Sequence, residues 1–201
     1  MNYKEIIKSI IKEIFSFIKL FLIAVIIIIP VKYFIVEPFL VQGASMSPNY
    51  ETGHYLIVNK LKENFSEIKR GNVLVFVPPS ERSDSLLKYS VYFDPRVKYI
   101  KRVIGLPEEI IKLEDGKIFI KKVNSDNYEQ LEEPYIYNKG IVKNQIIKLA
   151  RDEYYMLGDN RPNSKDSRVF GAIKKDDIIG EPVARLLPFN KIGFYPEIHK
   201  F

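Results

Sequence analysis

The chain has 201 residues, enough for one domain with a real hydrophobic core plus a short extra segment, and too few for two domains of ordinary size. It contains no cysteine and two histidines, His54 and His199, far apart in sequence; this excludes a disulfide framework, a thiolate nucleophile and a cysteine-ligated zinc, and argues against a histidine-rich metal site or a Ser/His/Asp triad. The net charge of +6 is a modest basic excess that by itself selects neither nucleic acid nor anionic lipid.

Apolar residues dominate from Ile14 to Ile29, interrupted by Ser16 and Lys19, and the pattern resumes after Pro30 as far as Val36. A membrane span needs about 20 apolar residues. The stretch reaches that length when Lys19 and Lys32 lie at the two interfaces and extend their ammonium groups into the headgroups. A buried core helix and a cleaved secretory signal share this texture. The small residues Val41, Gly43 and Ala44, however, lie well beyond Ile29, farther than a cleavage site normally follows its apolar core, which favours a retained anchor. Lys4, Lys8, Lys12 and Lys19 outnumber Glu5 and Glu13, so the positive-inside bias puts the N-terminus in the cytoplasm. The expected organisation is a cytoplasmic segment at 1–13, a single transmembrane anchor at 14–36 and an extracytoplasmic domain at 37–201.

From Gln42 onward the texture changes to short alternating or β-branched runs divided by Gly, Pro and Asn. Tyr55 to Val58, Val73 to Val77, Val97 to Ile104, Ile110 to Leu113, Lys117 to Val123, Gln145 to Leu149, Tyr154 to Leu157 and Ile178 to Ala184 all read as strands. Pro78 to Asp94, with Ser80, Ser83, Asp84 and Ser85, and Asn124 to Glu133 read as surface loops. With no internal repeat, the part after the anchor is expected to be one compact mainly-β domain.

Three segments carry side chains unusual for their context. In Gln42-Gly43-Ala44-Ser45-Met46-Ser47-Pro48, small residues before Ser45 allow close backbone approach, and the Ser45 amide is free to face a developing oxyanion; a serine in such a turn is also commonly just solvated. In the strand from Lys98 to Gly105, alternation puts Lys98, Ile100, Arg102 and Ile104 on one face and Tyr99, Lys101, Val103 and Gly105 on the other. A lysine on an apolar face loses hydration of its ammonium and becomes available as a base; an edge-strand lysine reaching to water has the same sequence. The polar run from Gly158 to Gly171 suggests a loop held by its own hydrogen bonds, with Asp166 and Arg168 able to pair, or a plain solvated loop. Its acidic spacing does not match a calcium loop.

Taken together and in this order, the N-terminal anchor, Glu37-Pro38-Phe39, Ser45-Met46-Ser47-Pro48, Lys69-Arg70-Gly71-Asn72-Val73, Tyr99 through Pro107 and Gly158-Asp159-Asn160-Arg161 through Gly171 resemble the type I signal peptidase family, the bacterial leader peptidases that remove signal peptides from exported proteins. The resemblance covers nearly the whole chain. It implies a single-pass anchor followed by a signal-peptidase-like mainly-β catalytic domain on the outer face of the plasma membrane. The implied chemistry is serine endopeptidase cleavage by a Ser/Lys dyad, with Ser45 as nucleophile and Lys101 as general base. Ser164 resembles the serine that orients the lysine amine, and Asp166 and Arg168 the supporting ion pair. The oxyanion would be met by backbone around Gly43 and Ser45. Extended substrates with small residues before the scissile bond would lie in shallow pockets lined by Phe39, Val41, Met46, Tyr50, Leu56, Val75, Tyr99 and Ile100. The implied partners are signal-peptide-bearing precursors and membrane lipid; no nucleic acid, metal or organic cofactor is implied.

Departures from the family pattern are Gly43, where many members carry a serine whose hydroxyl is an oxyanion donor, Gly71-Asn72 and Glu108-Glu109 in place of Gly-Asp pairs, and Asn49 in place of the usual threonine. With Gly43 present, the second oxyanion donor must be a backbone amide or water. For a base at neutral pH, Lys101 needs a pKa depressed by burial against Tyr99, Met46 and their neighbours. A soluble self-cleaving Ser/Lys regulator shares the dyad and lacks the anchor, and a noncatalytic peptide-binding module has no need for Ser45, Lys101 and Ser164 together.

Overall fold

The computed structural model describes residues 3–60, 68–81, 97–136, 138, 140 and 143–194. Residues 82–94 of the loop expected at Pro78 to Asp94 lie outside them, as does His199; Pro79–Glu81 is a single 3-10 turn.

The chain divides into two compact units, Met1–Val36 and Glu37–Phe201. The first is one long helix, α1 (Tyr3–Pro30), containing the 24-residue stretch Ile7–Pro30 that is long and apolar enough to cross a membrane. Its large apolar side chains, among them Phe15, Phe17 and Phe21, are exposed, which is not the pattern of a core helix. Pro30 has no amide hydrogen to continue the ladder. The chain there widens into a π-helical turn, Val31–Ile35, and becomes extended at Val36.

The second unit is mainly β, as the sequence leads one to expect. Its strands are β1 (Val36–Leu40), β2 (Tyr55–Asn59), β3 (Val73–Phe76), β4 (Tyr99–Gly105), β5 (Ile110–Glu114), β6 (Lys117–Lys121), β7 (Glu129–Gln130), β8 (Gln145–Lys148), β9 (Glu153–Leu157), β10 (Ile173–Lys174), β11 (Ile178–Leu187) and β12 (Gly193–Phe194), with a one-turn helix α2 (Ser167–Phe170). An eight-stranded sheet runs β1-β2-β11-β3-β4-β9-β10, with β12 also paired to β11; a four-stranded antiparallel sheet runs β7-β6-β5-β8.

Beyond the expected strands, the structure adds β1, β7, β10, β12 and α2. Three of these strands are two residues long, too short to show a period of two, and β7 falls within the segment expected as a loop at Asn124 to Glu133. The sequence of β1 follows directly on the apolar run and is not distinguishable from its continuation.

Side-chain alternation divides the core. Val73 and Val75 of β3 pack with Val41, Met46, Tyr50, Leu56, Val58 and Ile100, whereas Leu74 and Phe76 turn to Val103, Tyr154, Met156 and Ile173. A third cluster joins Ile104 and Leu157 to the smaller sheet through Ile111, Leu113, Ile118 and Ile120. β4 lies between β3 and β9 and is buried on both faces from Ile100 onward. The register sets Lys101 opposite Leu74 and Val103 opposite Met156, so Lys101 shares its face with Leu74, Tyr99, Val103 and Met156.

Candidate active site

Ser45 sits in a turn anchored at both ends. On the near side, the Val41 amide donates to His54 O (2.9 Å), the Gly53 amide to Val41 O (3.0 Å), and Thr52 Oγ1 to Gly43 O (3.1 Å). Gly43 adopts φ +88°, a left-handed conformation costly for other residues, so the family's serine would be strained here. The turn closes with Ser47 N donating to Ala44 O (3.2 Å) and Tyr50 N to Met46 O (2.9 Å).

From across the site, the loop after β9 grips the same turn. The Asn160 backbone amide donates to Ser45 O (3.0 Å), and its side-chain Nδ2 donates to Ala44 O (3.0 Å). Asn49 Nδ2 donates in the other direction, to Asp159 Oδ2 (2.8 Å) and Tyr135 O (3.3 Å).

Lys101 is 2 % exposed, and its Nζ lies 2.7 Å from Ser45 Oγ and 2.8 Å from Ile100 O, with the Tyr99 ring centroid at 5.4 Å. Burial is the largest influence on the amine and lowers its pKa from 10.5 to about 8, against smaller upward pulls from Asp166 and Asp159. The apolar surroundings expected to do this are present but differ in one member: Met46 packs in the opposite cluster, and Leu74, Val103 and Met156 occupy the lysine's face. An amine brought down to about 8 and in contact with a serine hydroxyl can take its proton, when deprotonated, without histidine.

Behind this pair is a charged layer that sequence reasoning missed. Arg102 makes a two-point contact with Asp159, Nε to Oδ1 at 2.8 Å and Nη2 to Oδ2 at 2.7 Å. It also donates to Gly71 O (2.9 Å) and lies over the Tyr135 ring at 4.2 Å. Arg161, equally buried, pairs with Glu133 and donates from Nε to Gly158 O (3.0 Å). The available signal was the face of β4: Arg102 alternates with Ile100 and Ile104, and a cation on a core face requires a buried counter-charge.

Asp166 and Arg168 do pair, Nε to Oδ1 and Nη2 to Oδ2, both at 2.8 Å. Asp166 also caps α2 by accepting from Arg168 N and takes the Gly158 amide on Oδ2 (3.0 Å), while Arg168 Nη2 donates to Arg161 O (2.6 Å). Ser164 departs from expectation. Its Oγ is buried with no hydrogen-bond partner, and the bond to Lys101 is not made: the amine's contacts go to Ser45 and Ile100, and the Ser164 hydroxyl lies against Gly158. Of the residues expected to line substrate pockets, Met46, Leu56 and Val75 are at most 1 % exposed, Val41, Tyr50 and Ile100 are also buried, and Phe39 and Tyr99 retain accessible surface. The buried six belong to one packed core cluster.

A serine hydroxyl in contact with a buried lysine amine on a mainly-β scaffold is an arrangement that can support nucleophilic hydrolysis. The model of the family described as signal peptidase, peptidase S26, matches residues 14–187. Similar proteins include signal peptidase I of Leptolyngbya laminosa, 32% identical over 171 residues (85% of this chain and 78% of the relative), and signal peptidase IB of Staphylococcus aureus (strain MRSA252), 30% identical over 200 residues (92% and 97%). A solved signal peptidase I from Enterococcus faecalis V583 is 24% identical and covers 58% of this chain and 97% of its own, with a TM-score of 0.43; the assignment does not rest on it. The chain belongs to the signal peptidase family: it is a protease of signal-peptide processing, with signal-peptide-bearing precursors as its substrates.

Proposed function

We propose that this protein cleaves precursors at the outer membrane face with a Ser45/Lys101 dyad. Neutral Lys101 accepts the Ser45 hydroxyl proton as Oγ attacks the scissile carbonyl, and the resulting ammonium gives that proton to the leaving amine. The Ile100 carbonyl, 2.8 Å from Nζ, aims the amine's lone pair by occupying one of its hydrogens. Water then displaces the acyl group from Ser45 by the reverse route. The Ser45 amide, which has no acceptor among the described residues, faces the oxyanion.

Asp166 and Arg168 hold the loop that carries Ser164, and Ser164 is assigned to steer the amine during turnover. Substrate lies extended over Phe39 and Tyr99, with Val41, Met46, Tyr50, Leu56, Val75 and Ile100 supporting from beneath. The anchor at 14–36 holds residues 37–201 outside and 1–13 inside, with lipid as its partner.

The observation that carries this reading is the 2.7 Å contact between Lys101 Nζ and Ser45 Oγ inside a buried site. Ser45→Ala and Lys101→Met are each expected to abolish processing of a model precursor, by more than about 10³-fold in kcat, without lowering the melting temperature. The assay is product N-terminal sequencing alongside thermal unfolding. Substantial turnover by either variant refutes the dyad.

A further inference from the structure

We propose that Asn160 is a positioning residue for oxyanion stabilisation: its side-chain amide sets the plane of the Ala44–Ser45 peptide so that the Ser45 N–H faces the reacting carbonyl. The inference rests on the reading of Ser45 as nucleophile and adds a residue that acts on Ser45's backbone rather than on its hydroxyl.

A trans peptide is planar, and its C=O and N–H point in opposite directions, so fixing one fixes the other. Asn160 Nδ2 donates to Ala44 O at 3.0 Å. The Ser45 N–H, at the other end of that plane, therefore points away from the loop after β9, and no acceptor among the described residues takes it. The same asparagine's backbone amide donates to Ser45 O at 3.0 Å, so the carbonyls on both sides of Ser45's α-carbon are held by one residue. Asn163 Nδ2 donates to Asn160 Oδ1 (3.3 Å), which orients the side-chain amide with its NH₂ toward Ala44.

Among the described residues the plane has one other hold, the turn bond from Ser47 N to Ala44 O at 3.2 Å, which is longer and belongs to the turn itself. Loss of the Asn160 side chain therefore loosens the peptide without freeing it. An oxyanion donor removed outright typically costs about 10²- to 10³-fold in kcat. A donor left in place but poorly aimed is expected to cost less, about 10- to 100-fold. Because the oxyanion forms only in the transition state, the loss falls on kcat and leaves KM nearly unchanged.

The test compares the full-length protein in detergent with Asn160→Ala, Asn160→Asp and Ser45→Ala on a precursor substrate. Asn160→Asp keeps the shape and the acceptor for Asn163 but has no donor for Ala44 O, separating the peptide clamp from a general loop role. Both Asn160 variants are expected to lose about 10- to 100-fold in kcat with KM within about twofold, and the uncharged Asn160→Ala to leave the pH profile of kcat/KM unmoved, since the contact between Lys101 and Ser45 is untouched. Wild-type kcat in Asn160→Asp overturns the proposal, as does a loss in Asn160→Ala accompanied by a shifted pH profile, which would place the effect on the amine. If Ser45→Ala retains activity, the nucleophile assignment fails and this inference with it; if Ser45→Ala is inactive while Asn160→Asp is normal, only the inference fails.

Discussion

In the proposed dyad, Lys101 gives both stability and turnover a dependence on pH. Its amine has an ordinary value of 10.5 and is lowered to about 8 by burial, so between those values the unfolded chain binds a proton that the folded chain does not. Stability therefore rises with pH across that window, and the full penalty for burying the cation, on the order of 3 kcal/mol, is present below it. Lys101→Met removes the penalty, and its melting temperature is expected to exceed that of the wild type at pH 7, with the gap narrowing toward pH 10. In the wild type, log kcat/KM should climb with unit slope below about 8 and then level. Parallel melting curves for the two proteins from pH 7 to 10 would show that the buried amine is not the source of the effect. The segments that carry Ser45 and Lys101 stand out in the sequence and the resemblance implies their pairing, but nothing local in the sequence sets the distance between them. They lie 56 residues apart, and neither turn chemistry nor strand alternation carries information over that separation. Asn49 and Asn160 were illegible for a related reason: an asparagine in a turn-rich segment reads as solvated, and its partners come from another turn.

The loop between β9 and α2 packs on the nucleophile turn through Asn160, and at Gly158 there is no room for a side chain between them. A Cβ placed there would stand 2.2 Å from Ser164 Oγ and 2.5 Å from Ser45 O. The Ser164 hydroxyl can rotate away but its Cβ, at 2.6 Å, cannot, and the Ser45 carbonyl can yield only by shifting the backbone that bears Oγ. Gly158→Ala is accordingly expected to lower stability by about 1–3 kcal/mol, the usual range for overpacking, and to lower kcat at least about tenfold through displacement of Ser45. Denaturant unfolding and precursor kinetics measure the two losses separately. A stability loss with normal kcat would mean that the loop moves and the turn does not. β5 and β6 were readable from their alternation, with buried Ile111, Leu113, Ile118 and Ile120 at every second position. β4 was placed correctly but its surroundings were not. Both its faces are covered, and the counter-charge for Arg102 arrives from Asp159 in the loop that follows β9.

At the scale of the whole molecule the proposed arrangement is one apolar helix in lipid and one β domain outside it, and each part supplies what the other lacks. The stretch Ile7–Pro30 is about 36 Å long as a helix against a hydrocarbon core of about 30 Å, so its length suffices for the proposed crossing, and an anchor at 14–36 would leave Lys8 and Lys12 on the proposed inner side. Confining enzyme and precursor to one surface raises their effective concentration without any added contact in the active site. Tethering therefore should matter only for substrates that are themselves held in the membrane. A chain beginning at Glu37 is expected to cleave a short soluble peptide with kcat/KM within a few fold of the full-length protein, yet to process a vesicle-embedded precursor on the order of 10²-fold more slowly. Equal loss on both substrates would show that the first 36 residues are needed to fold the second unit. Equal retention would remove the tether from the explanation. Orientation is tested in the same vesicles: protease added to sealed right-side-out preparations should digest the chain beyond residue 37 and spare the helix. Protection of the β domain until the vesicles are lysed would put the catalytic unit on the cytoplasmic side, where a precursor's cleavage site on the far face of the membrane is out of reach.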